Sequence, residues 1–330
     1  DVWHGGLRFE DYRNHCFRFL SEFGFESFPC EKTVNSFTEP GDRNIFSRTM
    51  EMHQRCVGAN KKILTYLADT FKYPGDFGTL LYASQLLQAE AMRYCVEHLR
   101  RNRGRCMGAL YWQLNDIWPV ASWASIDYYG RYKALQYAAK RFFAPVIITC
   151  KETGEMTGNS SILTEGCYDN YQTKAQLAVS NETLHDISGE VIWRLCSSDG
   201  KIIESGKQSL TAKAMSSIRL DETDFHRTDV DNNYLYFAFL ANGKEISSGT
   251  VIFTLPKYFN FKNPKLKCSV EGNKITVSAE NFAKYVEIYS ETEDMILSDN
   301  FFDMEPGSKT VEVLSGNPEN IKLRSVYDIK

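Results

Sequence analysis

A chain of 330 residues is longer than one ordinary domain, which predicts two or three domains. Its hydrophobic content of 43% and aromatic content of 13% are typical of folded domains with large cores and exclude a disordered chain. The 38 basic and 42 acidic residues are interspersed and leave a formal net charge of -4, so no basic stripe points to nucleic acid. No apolar run approaches the length of a membrane span.

The first 145 residues or so alternate between strand-like and helix-like segments. Residues 18–23 form a short aromatic-rich strand that ends at Gly24, and residues 108–114 form a second strand. Helices are predicted over residues 44–56, 61–71, 133–143 and, from a cap at Asp76, to about residue 103. This order implies parallel strands with crossover helices. Two strands cannot close a barrel, so we expect this portion, residues 1–145, to require more chain upstream.

After Pro145 the pattern changes to short β-rich runs separated by turns. The runs at residues 173–180, 190–196, 234–241 and 249–254, with a hairpin signal at Asp199-Gly200, predict a β-sandwich over residues 146–255. The remaining residues, 256–330, begin with a proline-containing linker and repeat the β pattern around a turn at Gly272-Asn273. We therefore expect a second, smaller sandwich.

Nine cysteines are scattered without a CxxC pair, so neither a zinc site nor a thioredoxin-like centre is predicted, and no cofactor or metal is expected. The glycosylation sequons at Asn159 and Asn181, together with the cysteines, favour a secretory or lysosomal glycoprotein.

The segment Ser-Glu-Phe-Gly around Glu22 is the central candidate for chemistry. A carboxylate at the C-terminal end of a strand, just before a glycine, lies where barrel enzymes place catalytic groups. Strand alternation predicts that Arg18, Leu20 and Glu22 share one face. Without further information, a solvated or paired glutamate is the more common outcome at such a position.

A second constellation follows the predicted strand at residues 108–114. Trp112 at the mouth of a strand offers a flat apolar face to a sugar ring, and the neighbouring Asn115 and Asp116 offer partners for hydroxyl groups. A packed floor at the end of a barrel is an equal interpretation for Trp112 and the preferred one for Trp118 and Trp123.

Together these motifs resemble a known family. Residues 19–25 and 111–119 resemble the last two barrel strands of β-mannosidases of glycoside hydrolase family two, particularly the animal lysosomal enzymes. Residues 1–5, 141–145 and 298–303 resemble other segments of that family, so the similarity spans nearly the whole chain.

The resemblance implies the C-terminal part of a (β/α)8 barrel followed by two immunoglobulin-like β-sandwiches. It implies a retaining exo-β-mannosidase that hydrolyses terminal β-linked mannose from oligosaccharides. Glu22 would be the nucleophile and Trp112 an aromatic contact of the sugar. Trp3 and His4 would line the same pocket. Asn115 and Asp116 would orient the loop below the sugar, with a hydroxyl contact left open.

One part of the family pattern is missing. The general acid/base glutamate of the family follows an asparagine, and the only Asn-Glu pair here, Asn181-Glu182, falls in a predicted sandwich strand. The chain is thus expected to be an incomplete catalytic unit whose partner is an upstream part of the same polypeptide. A β-galactosidase, a β-glucuronidase and a non-catalytic carbohydrate-binding fragment remain as alternatives.

The cysteines add one geometric expectation. Cys16 lies six positions before Glu22, and Cys106 lies six positions before Trp112. If Glu22 and Trp112 end neighbouring parallel strands, the two cysteines start those strands side by side, within reach of a disulfide bond.

Overall fold

The computed structural model of the chain describes residues 2–154, 173–226 and 228–330. The first portion contains two paired parallel strands and several helices. Its elements are α1 Val2–Gly5, β1 Leu20–Phe23, α2 Glu31–Asn35, α3 Arg48–Met52, α4 Ala59–Thr70, α5 Phe77–Arg101, β2 Ala109–Tyr111 and α6 Ala134–Phe142.

Helix α5 is the central element of this portion. Its N-cap is Asp76, whose carboxylate accepts a hydrogen bond from the backbone N–H of Thr79 at 2.8 Å. Basic residues occupy its last turn, where they complement the negative end of the helix dipole. Most of its side chains are buried, so α5 packs on several sides. Helices α4, α5 and α6 confirm the predicted ones to within a few residues.

The helix predicted over residues 44–56 is much shorter in the structure. Ser47 caps α3 by accepting a hydrogen bond from the N–H of Met50, and the helix ends at Met52. His53 then stacks on Phe37 and contacts the carbonyl oxygen of Pro119 at 2.7 Å. These tertiary contacts stop a helix that the periodicity alone would continue.

The middle portion is a two-sheet sandwich with its own core. One sheet has the order β3-β4-β7, with β8 also paired to β4, and the other has the order β10-β9-β5-β6. Gly200 adopts a positive φ of 82° in the turn between β5 and β6, at the predicted hairpin. The strands are β3 Val146–Thr153, β4 Lys174–Asn181, β5 Ile187–Ser197, β6 Ile202–Ala212, β7 Ser216–Arg219, β8 Thr223–Asp224, β9 Asn233–Ala241 and β10 Lys244–Ile252.

The last portion is a smaller sandwich built from a sheet of order β11-β12-β16-β14 and one of order β15-β13-β17. Its strands are β11 Lys267–Glu271, β12 Lys274–Ala279, β13 Ala283–Ser290, β14 Met295–Leu297, β15 Phe302–Met304, β16 Gly307–Gly316 and β17 Ile321–Arg324. Its buried side chains join those of α5 in one continuous cluster, which contains both Leu86 and Val286. The hydroxyl of Tyr82 donates to the carbonyl oxygen of Tyr285 at 2.6 Å across this contact.

A buried ion pair ties the first portion to the middle sandwich. The guanidinium of Arg13 donates to the carboxylate of Glu152 at 2.9 Å and to its carbonyl oxygen at 3.0 Å. Tyr94 of α5 donates to the same carboxylate. Arg101 adds a hydrogen bond to the carbonyl oxygen of Cys150 at 3.2 Å. Strand β3 is thereby held against the C-terminal half of α5.

Candidate active site

The candidate site begins at the parallel strand pair β1 and β2. Leu20 is in register with Ala109 and Phe23 with Tyr111, and the register shifts between them. Two residues of β1, including Glu22, therefore face a single residue of β2. Glu22 is exposed, whereas Leu20 packs against the core. The shift interrupts the simple alternation from which a shared face for Leu20 and Glu22 was expected.

Close backbone contact follows at the ends of these strands. The N–H of Trp112 donates to the carbonyl oxygen of Phe23 at 2.8 Å. A Cβ added at Gly24 would lie 2.4 Å from the Trp112 carbonyl oxygen and 2.8 Å from Cδ1 of Trp123, so only glycine fits. The strand ends that carry Glu22 and Trp112 thus meet at one edge. The Trp112 side chain is 47% exposed there.

Trp3 and His4 occupy very different surroundings. The Trp3 side chain is 1% exposed, and its ring meets the ring of Phe25 edge-on at 4.8 Å and stacks on Tyr66 at 6.4 Å. The structure therefore places Trp3 behind the site, where its ring has no open face for a sugar. His4 is exposed, with its ring 6.2 Å from that of Trp123.

Asn115 and Asp116 belong to the loop that follows β2. The side-chain amide of Asn115 donates to the carbonyl oxygen of Asp116 at 3.1 Å, and Gln113 donates to the Asp116 carboxylate at 3.4 Å. Asp116 is buried, and burial raises the pKa of its carboxyl group. Its placement fits a role in holding the loop, whereas Asn115 is exposed at the surface.

Two buried ionisable residues, Glu26 and Lys133, escaped the sequence analysis. Glu26 is fully buried, and burial raises the pKa of its carboxyl group well above the ordinary value. The ammonium of Lys133 donates to the carbonyl oxygens of Ser27 and Ser122, at 3.2 Å in both cases, and burial lowers the pKa of Lys133 to about 8. The position of Glu26 between two buried phenylalanines, Phe25 and Phe28, was the available signal.

The Asn181-Glu182 pair lies far from these strand ends in sequence and has a structural role. Glu182 forms an ion pair with Arg103 at 2.5 Å. The Asn181 side chain is buried and donates to the carbonyl oxygen of Ala212 at 3.0 Å. A glycan needs an accessible amide nitrogen, so the sequon at Asn181 does not fit modification in this fold. The sequon at Asn159 lies outside the described residues.

Two further properties concern ligands and membranes. Within residues 2–154, 173–226 and 228–330, no group of three or more His, Cys, Asp or Glu side chains is arranged to hold a metal ion. Of the helices in those same ranges, none combines the length and the apolar character needed to cross a membrane.

Comparison with known proteins places these motifs in context. Residues 173–258 match a profile described as a mannosidase Ig/CBM-like domain, and residues 261–329 match one described as an Ig-fold domain. The crystal structure of a β-D-mannosidase from Dictyoglomus thermophilum superposes with a TM-score of 0.84 at 26% identity, over 98% of this chain and 39% of that one. The chain is thus similar to a β-mannosidase over nearly its whole length.

Curated β-mannosidases show the same relationship by sequence. Beta-mannosidase B of Thermothelomyces thermophilus is 27% identical over 99% of this chain and 41% of its own length. The β-mannosidase of Capra hircus is 35% identical over 44% of this chain and 19% of its own length. The chain thus spans about two fifths of the first of these relatives.

Proposed function

We propose that this chain supplies the nucleophile of a retaining exo-β-mannosidase that removes terminal β-linked mannose from oligosaccharides. The observation that supports it most is the meeting of the β1 and β2 ends, where exposed Glu22 and half-exposed Trp112 share one edge. Similarity to β-mannosidases over nearly the whole chain supports the same reaction class. The resemblance also favours a lysosomal or secretory location.

In the proposed reaction the carboxylate of Glu22 attacks the anomeric carbon of mannose. The bond to the leaving oxygen breaks as a second carboxylic acid protonates that oxygen, which produces a glycosyl ester on Glu22. Water, deprotonated by the same second group, then hydrolyses the ester. This chemistry requires the two carboxyl groups to lie roughly 5 to 5.5 Å apart. The exposed ring of Trp112 would pack against the C–H face of the sugar, with His4 and Asn115 at the rim.

The second carboxyl group is proposed to come from an upstream part of the polypeptide. Glu26 and Asp116, the acids next to the two motifs, are buried, and Glu182 is paired with Arg103. Strands β1 and β2 would then be the last two strands of a (β/α)8 barrel. Half-exposed apolar side chains such as Leu110 and Leu114, at 58% and 56%, would be covered by the remaining barrel.

The decisive experiment replaces Glu22 in the full-length protein and assays an aryl β-mannoside. Glu22→Gln keeps the shape of the side chain and removes the nucleophile, so we expect turnover to fall by several orders of magnitude. The matched control is Glu51→Gln, which changes an exposed glutamate on α3 and should leave turnover unchanged. Full turnover by Glu22→Gln would refute the assignment and favour a non-catalytic carbohydrate-binding protein.

Two further assays test the substrate and the incompleteness of the chain. Aryl β-galactosides and β-glucuronides, compared with the β-mannoside on the full-length protein, separate the proposed activity from neighbouring ones. The 330-residue chain alone should be at least 10²–10⁴-fold slower than the full-length protein, the usual effect of losing a general acid. Robust turnover by the isolated chain would refute the requirement for an upstream acid.

A further inference from the structure

Two cysteines lie side by side on the segments that lead into β1 and β2. The N–H of Met107 donates to the carbonyl oxygen of Arg18 at 2.8 Å, and Arg105 donates to the carbonyl oxygen of Cys16 at 3.2 Å. The thiols of Cys106 and Cys16 are close enough to influence each other electrostatically. The adjacency expected from the sequence is therefore present, with both cysteines as free thiols.

The two thiols differ in access. Cys16 is exposed, whereas Cys106 is 5% exposed. A soluble oxidant can therefore reach Cys16 first, and Cys106 lies behind it as the group that can displace the oxidant. Cys95 of α5 lies beyond Cys106, fully inside the core.

His98 of α5 completes the surroundings of Cys16. Its Nε2 lies 2.8 Å from the carbonyl oxygen of His15 and 3.7 Å from Sγ of Cys16, while its Nδ1 lies 3.3 Å from the amide nitrogen of Asn102. A carbonyl oxygen can only accept, and the amide nitrogen can only donate. Nε2 therefore carries the ring proton and presents an N–H near the sulfur of Cys16. Burial lowers the pKa of His98 to about 4, which keeps the ring neutral.

We propose that Cys16 and Cys106 form a reversible disulfide bond that cross-links the segments entering β1 and β2, with glutathione disulfide as the oxidant. The Cys16 thiolate attacks one sulfur of glutathione disulfide, so that a mixed disulfide forms and one glutathione leaves. The Cys106 thiolate then attacks the Cys16 sulfur, forms the internal bond and releases the second glutathione. Two protein thiols are oxidised and one glutathione disulfide is reduced to two glutathione thiols.

The bond would act on the geometry of the proposed site from the far ends of its strands. β1 and β2 together contribute few backbone hydrogen bonds, because they pair over only a few residues with a register shift. A covalent link at their entry fixes the spacing of the two segments that end at Glu22 and Trp112. The chain between the two cysteines is long, so the link also restricts the unfolded state considerably.

The test is peptide mapping of the protein equilibrated in glutathione buffers of increasing oxidising strength. After acid quenching and alkylation, we expect a peptide pair joining Cys16 to Cys106, the loss of two free thiols, and a rise of several degrees in the midpoint of thermal unfolding. Dithiothreitol should reverse all three. Either Cys16→Ser or Cys106→Ser should abolish the pair, whereas Cys268→Ser, at an exposed cysteine of the last sandwich, should retain it.

Two outcomes would overturn the inference. One is Cys16 carrying glutathione without progressing to an internal bond at any buffer composition. The other is Cys106 linked to Cys95 instead. Both are read from the wild-type protein, so a variant that fails to fold does not affect the conclusion. Neither depends on turnover, so the proposed mannosidase activity is tested separately.

Discussion

Substitution of Gly24 by alanine tests the close contact that sets the geometry of the two strand ends. The added Cβ would lie 2.4 Å from the Trp112 carbonyl oxygen, about 1 Å inside an ordinary carbon–oxygen contact of about 3.3 Å. To relieve this clash, either the end of β2 or the backbone at residue 24 must shift. Both movements strain the hydrogen bond between the Trp112 N–H and the Phe23 carbonyl oxygen.

The expected loss of stability follows from these two effects. Overpacking of this kind costs about 1–3 kcal/mol, and a lost backbone hydrogen bond costs about 1 kcal/mol. Gly24→Ala should therefore lower the free energy of unfolding by about 2–4 kcal/mol. In the full-length protein a displacement of about 1 Å between Glu22 and Trp112 should also reduce turnover on the order of 10²-fold.

Urea-induced unfolding of the chain provides the assay, with Gly41→Ala as the matched control. A Cβ at Gly41 meets nothing within 4 Å, so that variant should stay within about 0.5 kcal/mol of the wild type. Equal unfolding midpoints for the two variants would show that the strand ends shift at little energetic cost. The contact between Gly24 and Trp112 would then not fix the spacing of the two strands.

Two further predictions concern buried acids with opposite pKa shifts. Burial acts to raise the pKa of Glu90, but the charge and hydrogen bonds of Arg93 prevail and lower it to about 2. The Glu90–Arg93 pair should therefore contribute about 3 kcal/mol to the free energy of unfolding above a pH of about 4.5. This contribution should be lost as the pH falls towards about 2. The urea concentration at the unfolding midpoint should fall over that pH range in the wild type and change less in Glu90→Gln. The same pH dependence in both proteins would contradict the lowered pKa of Glu90. For Glu26 burial raises the pKa, so stability is lost as pH rises from the ordinary carboxyl pKa towards the raised one. Glu26→Gln should then be more stable than the wild type at neutral pH and equal to it in acid, and a less stable variant at neutral pH would refute the reasoning.

Local signals in the sequence predicted much of the fold. Asp76 and the basic residues near residue 101 defined α5, because a cap and a helix dipole act within a few residues. Asp199-Gly200 located a hairpin for the same reason. The edge with Glu22 and Trp112 was predictable because parallel strands end on the same side of a sheet.

Features that depend on tertiary packing could not be predicted from local sequence patterns. The register shift between Leu20 and Phe23 arises from pairing with a distant strand, and no alternation pattern contains it. Trp3 was expected to line the sugar pocket, but Phe25 and Tyr66, from other parts of the chain, enclose it. The charges that act on buried Glu26, among them those of Lys133 and Lys62, likewise come from distant parts of the chain.

The continuous core between α5 and the last sandwich has a practical meaning for anyone who divides this protein into parts. The middle sandwich has a core of its own, yet in chain order it separates two portions that share theirs. A truncation after the middle sandwich would remove Phe301 from the buried rings of Tyr82 and Tyr137 and leave an exposed apolar surface. Chimaeras between relatives should therefore exchange the first and last portions as one unit, and a replaced middle sandwich should keep Glu152 as the buried partner of Arg13.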